Sequence, residues 1–325
     1  MYARLDNGTI KTGEALEIGV VVAPDSDWKG QICPLLGHKG HPWTLHVEKA
    51  LDGAITDLET RFYLGILHGQ AVANICLFEH ERIAIFAHVY TIPEFRQRGI
   101  ARQVNRVVME DFRRRGGRVM TLSTDYDSHP FHLYASFGFQ GIIPEVGNMT
   151  CEFEAGCQEK FFAPGSGVSV RNQVWADWPH LNLLYHQTGG DWFRSVRHAL
   201  YRPKSYEGCF LQERVEIEIS HLCAKTLVTE NGTVVGNLAC GPDRRWDGAA
   251  ALVDLHVHEN YAEHTGCLLD GLRCDETKLI AHARSGSGKE QALRDAGYIE
   301  EGRLTRLVRG GTGPYDVVVL ARNPC

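Results

Sequence analysis

Six consecutive residues, Arg96-Gln97-Arg98-Gly99-Ile100-Ala101, set cationic side chains among small ones just ahead of a helical pattern. Such a stretch suits an anion. The first turn of a helix has main-chain N–H groups without intrahelical partners and carries the positive end of the helix dipole. Gly99 and Ala101 let a ligand approach the backbone, and Arg96, Arg98 and Arg102 add positive charge within seven residues. Two other patterns lack what their chemistry needs. Ser285-Gly286-Ser287-Gly288-Lys289 has no glycine five residues before Gly288, and Glu290 stands where a phosphate loop needs Ser or Thr. The 16 histidines show no His-Glu-x-x-His or paired ligand spacing, so no metal is expected; His256 and His258 read as surface or domain-interface residues.

The flanking residues predict the elements that hold the arginine-glycine stretch. Residues 83–91 are an apolar, β-branched and aromatic run of strand length, ended by Pro93, which has no N–H for a ladder. Val104, Val107, Val108 and Phe112 then recur at helical spacing with Arg102, Arg106, Glu110 and Asp111 between them, and Gly116-Gly117 ends the helix. Residues 118–124 read as another strand, and 130–136 as a short helix closing on Gly138-Phe139.

In this order the residues resemble the GNAT superfamily of acyl-CoA-dependent N-acyltransferases. Arg96-x-x-Gly99-x-Ala101 matches its pyrophosphate loop R/Q-x-x-G-x-G/A, and Leu133-Tyr134-x-x-x-Gly138-Phe139 matches its later L-Y-x-x-x-G-F signature. The resemblance implies acetyl-CoA as donor, its pyrophosphate held by main-chain N–H groups of Gln97, Arg98, Gly99, Ile100 and Ala101 beside Arg96. The side chains of Arg98 and Arg102 either face solvent or meet the CoA 3′-phosphate. Backbone donors over Val89, Tyr90 and Thr91 would polarise the thioester carbonyl, and the Tyr134 hydroxyl would protonate the leaving thiolate. Asp127 falls where the family commonly has an asparagine on the pantetheine arm, or else caps the short helix; Pro130 replaces a common alanine.

The base is less defined. An amine nucleophile must lose a proton, and family members that use a strand residue draw it from positions corresponding to Ile85 or Ala87, neither of which ionises. His88 is adjacent. Strict alternation puts it with Phe86 and Tyr90 on the other face, unless a bulge changes which residues face the cleft. Glu79, His80, His38, His41 and His46 are further candidates, with His88 and Tyr134 expected as the catalytic pair.

Upstream, residues 1–14 read as a loose leader, 16–23 as a strand, 27–36 and 42–51 as helices, and 61–67 and 71–78 as a hairpin. The first domain is thus expected over 1–154, in the order β-α-α-β-β-β-α-β-α-β-β, followed by a polar linker over 155–167. A second domain over 168–325 repeats that order. Its strands are expected at 168–174, 224–228, 234–239, 250–257 and 278–283, its helices at 178–186, 192–201, 266–272 and 289–295, and Ala296-Gly297-Tyr298 stands where Phe137-Gly138-Phe139 stood. The expected fold is α/β (α+β), two GNAT-like domains, each a mixed, mostly antiparallel twisted sheet flanked by helices. Where the second domain would carry its phosphate loop it has Glu259 and Glu263 and no R-x-x-G-x-A, so it is expected not to bind CoA.

At 325 residues the chain has room for two cores. A formal net charge of −6 argues against a nucleic-acid surface and mildly suits a cationic acceptor. No apolar run approaches the roughly 18 residues of a membrane span, and the start has no hydrophobic signal core, so a cytoplasmic protein without a membrane partner is expected. The ten cysteines lack C-x-x-C spacing and read as reduced thiols, with Cys325 exposed. The activity expected is acetyl-CoA-dependent N-acetyl transfer to a primary amine of a small molecule or peptide, by direct attack in a ternary complex. The alternative is a non-catalytic CoA-sensing module. A homodimer stays open.

Overall fold

The arginine-glycine stretch lies ahead of the third helix in the first of two compact units, Met1–Cys157 and Gln158–Cys325, of the computed structural model. Residues 1–165, 167–247, 249–270, 272, 278–310 and 313–323 are described; Ser166 of the expected linker, Gly271 of the helix expected over 266–272, and Cys274 and Cys325 lie outside them. No described helix is long and apolar enough to cross a membrane.

The first unit runs β1 (Tyr2–Thr9), β2 (Ala15–Val22), α1 (Lys29–Leu36), α2 (Trp43–Leu51), β3 (Glu59–Leu67), β4 (Gln70–His80), β5 (Ile83–Thr91), α3 (Ile100–Arg114), β6 (Val119–Ser123), α4 (His129–Ala135), β7 (Gln140–Gly141) and β8 (Asn148–Glu152). One sheet results, in the order β1-β2-β3-β4-β5-β6-β8-β7. Every neighbouring pair is antiparallel except β5 with β6, which is parallel and holds register only from Ile83↔Val119 to Ile85↔Thr121. The α3 stripe of Ile100, Val104, Val107, Val108 and Phe112 is buried against one face, with Ile75, Leu77, Ala84 and Phe86 in the same core. Gly65 on β3 makes this approach possible, because a Cβ there would lie 3.0 Å from Ile100. The alternate residues of β4 face α2, where Phe78 meets His46 edge-on at 4.6 Å.

Residues 2–9 overturn the expected loose leader. They form β1, an edge strand antiparallel to β2, whose alternation is hard to see because only some of its side chains are half-buried and none fully so. A short helix, α5 (Cys157–Phe161), occupies part of the stretch expected to be linker.

The second unit runs β9 (Val168–Asn172), α6 (Asp177–His186), α7 (Glu207–Glu218), β10 (Cys223–Thr229), β11 (Val234–Pro242), β12 (Ala250–Val257), α8 (Thr265–Leu269), β13 (Lys278–Arg284), α9 (Gly288–Asp295), β14 (Ile299–Gly310) and β15 (Gly313–Arg322). Its sheet, β9-β10-β11-β12-β13-β15-β14, has the order of β2-β3-β4-β5-β6-β8-β7 in the first, again with one parallel pair, β12 with β13. Both units are therefore mixed, mostly antiparallel sheets flanked by helices, as the sequence predicts.

One expected helix does not form. Residues 192–201 are irregular because their polar groups are claimed from elsewhere. Asp254 on β12 accepts from the Ser195 hydroxyl and from the backbone N–H groups of Val196 (3.2 Å) and Arg197 (3.0 Å), and Ser195 forms an antiparallel bridge with Leu200. The buried Arg194 guanidinium donates to the carbonyls of Tyr185 and Gln187. Tertiary hydrogen bonds have outcompeted helical propensity here, and the second helix starts only at Glu207.

The same segment places His198 Nε2 3.0 Å from the buried Glu213 carboxylate, which also accepts from Tyr206 and from Gln173 at 2.9 Å. Burial opposes the imidazolium, but hydrogen bonds with Cys209 and Glu213 outweigh it and raise the His198 pKa to about 10. Because this folded-state value exceeds the unfolded value of about 6.5, the stabilisation is complete below about pH 6.5 and lost as pH rises through about 10. Urea unfolding followed by aromatic fluorescence should therefore show the midpoint falling between about pH 6.5 and 10, and His198→Gln should flatten that slope. A wild-type midpoint unchanged over the range would contradict the assignment.

Candidate active site

The chain leaves β5 at Thr91, makes a turn over Pro93–Phe95 and enters α3 at Ile100. Gln97 (φ 63°) and Gly99 (φ 85°) are both left-handed, a conformation glycine adopts freely and glutamine at a cost. Gly99 stands at the N-cap without a side-chain cap, and Gln103 N–H bonds its carbonyl at 3.2 Å. The N–H groups of Ile100, Ala101 and Arg102 thus precede the first helical bond and point out of the helix start. A cleft of about 290 Å³ opens at this place.

Seven lining residues are those the sequence predicts: Thr91, Arg96, Gln97, Gly99, Ile100, Ala101 and Arg102. Lys11, Phe95, His129 and Leu133 complete the lining, and it includes no carboxylate. Lys11 lies in the stretch expected to be a leader, and His129 and Leu133 lie some thirty residues beyond the loop on α4, just before and within the L-Y signature that points to them.

Two of the arginines hold the loop itself. Arg96 Nε donates to the Thr91 carbonyl at 2.9 Å and its guanidinium lies over the Tyr90 ring. Arg98 donates to the Glu94 carbonyl at 2.9 Å and reaches Glu14 at 3.4 Å. Arg102 is exposed above Phe137. Asp127 is exposed, lies outside the cleft lining and is 2.9 Å from His132 Nε2; Ser128, not Asp127, caps α4 by accepting from Phe131 N–H.

Strict alternation would set His88 beside Phe86, and the structure corrects this. The β4–β5 register shifts between Asn74↔Tyr90 and Cys76↔Ala87, so one extra residue is accommodated, and His88 takes φ 53°. That is a bulge. Phe86 packs toward α4 against Tyr134 and Phe139, whereas the His88 ring turns to Trp43 on α2 (5.2 Å, edge-on) and Phe78 (5.4 Å). The His88 carbonyl, displaced from the ladder, accepts from Asn74 Nδ2 at 3.0 Å. Both ring nitrogens of His88 are buried without a hydrogen-bond partner, and burial holds its pKa well below the ordinary value, with Lys39, His46 and His38 adding to the effect.

The remaining base candidates separate by position. Glu79 and His80 pair with Ala84 and Ile83, at the wrong end of β5. Seven residue steps of strand, roughly 23 Å, separate Ala84 from Thr91. Glu79 is also bound to Arg115 at 2.8 Å, in a network with Asp111 and Tyr63 that fastens the end of α3. His46 is fully buried, its pKa lowered to about 3 by desolvation. His38 stacks on Tyr90 at 4.4 Å, near the cleft end of β5, and His41 is exposed. Tyr134 is buried between Phe86 and Phe139 beside the lining residue Leu133, and burial raises its pKa.

The second unit offers an internal comparison. Ser287 caps α9 as Ser128 caps α4, and Tyr298 N–H bonds Leu293 C=O as Phe139 N–H bonds Tyr134 C=O. Leu293 thus occupies the place of Tyr134. The fourth residue beyond the first parallel pair is Asp254 where the first unit has Ala87, and Asn237 precedes its partner strand position as Asn74 does. β11 and β12 pair without a register shift, so this unit has no counterpart of the His88 bulge, and Asn237 instead bonds the hydroxyls of Tyr185 (3.0 Å) and Tyr206 (3.2 Å).

Residues 63–146 match the family model described as FR47-like protein. No curated protein matches the chain. Among solved structures it is similar to yncA of Salmonella typhimurium with acetyl-CoA (15% identity, 49% of this chain and 94% of that one, TM-score 0.39). It is also similar to the ribosomal-protein-S5-alanine acetyltransferase of Vibrio fischeri (14%, 49% and 93%, TM-score 0.36). The spermidine N-acetyltransferase of Vibrio cholerae with CoA and spermine gives 14%, 49% and 96%, with a TM-score of 0.36. The matched residues take in β5, the arginine-glycine loop and Tyr134, the stretch on whose motifs the GNAT resemblance is drawn.

Proposed function

We propose that the first unit is an acetyl-CoA-dependent N-acetyltransferase acting on a primary amine. The observation that carries this reading is the cleft at the start of α3, where three unpaired N–H groups, a left-handed glycine and a lining free of carboxylates suit a pyrophosphate. The FR47-like match over the same residues supports it. Beyond Ile85 and Thr121 the strands β5 and β6 part, which leaves the β6 side of Phe86–Thr91 without a ladder and open to the acyl-bearing arm. Carbonyl polarisation by main-chain donors over Val89, Tyr90 and Thr91 fits that edge.

The acid and base are assigned within the same proposal. A buried Tyr134 hydroxyl keeps its proton at neutral pH and can give it to the leaving thiolate; its place one residue from Leu133 supports this role. His88, neutral and with both ring nitrogens unpartnered, accepts the proton of the attacking amine. Asn74 then has a positioning part: by holding the His88 carbonyl it maintains the bulge that turns the imidazole toward α2. The second unit, with acidic residues at its loop and Leu293 in place of Tyr134, is proposed as a GNAT-like domain that no longer binds CoA.

Calorimetric titration with acetyl-CoA should give saturable binding that Gly99→Glu abolishes, since that change adds negative charge and a side chain at φ 85°. No wild-type binding would sink the reading. Thioester turnover against an amine panel separates an enzyme from a CoA-sensing module, which would show none above background. In an active assay Tyr134→Phe should lower kcat about 10²-fold, and Asn74→Ala about tenfold with acetyl-CoA affinity kept. Because the His88 pKa is depressed, kcat should show no acid limb from it above about pH 6.5; a limb near neutrality that disappears in His88→Gln would refute the neutral-base assignment.

A further inference from the structure

Lys11 belongs to no sequence motif, yet the fold brings it to the phosphate end of the cleft. The β1–β2 turn is fixed by Ile10 N–H to Glu14 C=O at 3.0 Å and Gly13 N–H to Ile10 C=O at 2.9 Å. It is tied directly to the arginine-glycine loop: Lys11 N–H donates to the Arg98 carbonyl at 3.1 Å, and the Arg98 guanidinium reaches Glu14. Two further bonds fasten β1 to the first turns of α3, Gln103 Nε2 to the Thr9 carbonyl at 3.0 Å and Arg106 to Asp6. The turn is therefore a docked part of the loop's wall.

The side chain continues from that anchor over the helix start. Around a Cβ placed on Gly99, the nearest atom is Lys11 Cγ at 4.0 Å, and Lys11 lines the cleft. Its ammonium has no hydrogen-bond or ion-pair partner among the described residues, whereas the loop's own cations are committed, Arg96 to the Thr91 carbonyl and Arg98 to the Glu94 carbonyl and Glu14. The nearest carboxylate in the turn, Glu14, is shared among Thr12, His68 and Arg98.

We propose that Lys11, carried on the docked β1–β2 turn, is the mobile cation that closes over the CoA pyrophosphate at the start of α3. The inference rests on the CoA reading of the cleft. Lysine suits the task, being a compact point charge on a flexible stem with three donors.

Calorimetry on the full chain with CoA and with 3′-dephospho-CoA, at low and raised salt, tests it. Lys11→Met should weaken both ligands by a similar factor, about tenfold at low salt and less as salt screens the charge, while Lys11→Arg keeps most of the affinity. Lys39→Met, which removes an exposed lysine of the α1–α2 turn, controls for net charge and should leave both affinities unchanged. Thermal melts establish that each variant folds. Wild-type affinity in Lys11→Met overturns the proposal, as does a loss that vanishes with 3′-dephospho-CoA or one that Lys39→Met reproduces. Failure of the wild type itself to bind CoA would instead remove the functional reading beneath it.

Discussion

The parting of β5 from β6 is the constraint on which the site depends. The two strands share a parallel ladder over only three pairs, and β5 continues for six residues past the last of them. An exposed row of main-chain groups is costly when buried and invites a partner when open. In the proposed reading the gap is the ligand slot, and α3 begins at its end. Gly99 lets α3 begin without a side chain in the slot, and Gly65 lets the helix sit close enough to the sheet for Ile100 and Val104 to bury.

The bulge follows from the same constraint. A strand that must keep its ladder with β4 while diverging from β6 gains twist and curvature from an extra residue, and His88 is that residue. Its positive φ is strained for a side chain with a Cβ, by an amount of order 1–3 kcal/mol. The Asn74 amide offsets part of that by satisfying the displaced carbonyl. In the second sheet the corresponding strands pair in continuous register, no carbonyl is displaced, and Asn237 is spent on two tyrosine hydroxyls. The same residue type thus does different work according to whether the ladder is broken beside it.

Much of this was legible in the sequence, for identifiable reasons. β5 is largely apolar because both of its faces are covered over residues 83–88, and α3 announces itself by a helical stripe between arginines; both were placed within a residue or a few of their ends. Gly138 marks the end of α4 through local chemistry that needs no knowledge of the fold, whereas its N-cap is Ser128 and not the expected Asp127. What failed was non-local. β1 is an edge strand with little to bury, so its pattern is weak, and residues 192–201 have helical propensity that Asp254, more than fifty residues away, overrides. The direction of His88 depended on one extra residue in a register that alternation alone cannot reveal.

The two units differ at the place where the parallel pair of each sheet opens. The first unit has the loop, the tyrosine and the bulge, with an alanine at position 87; the second has a carboxylate, Asp254, at the corresponding place but neither tyrosine nor arginine loop. Asp254 cannot serve as a free base, because the Ser195 hydroxyl and two backbone N–H groups already occupy it. Its charge stabilises an irregular segment that would otherwise leave those donors unpaired in the interior, a role a neutral side chain could not fill. The two sheets share strand order down to their single parallel pair, yet in one the polar groups at its opening are left available and in the other they are satisfied from within. Availability of those groups, more than the shape of the sheet, is what separates the unit proposed to act on a ligand from the one proposed not to bind CoA.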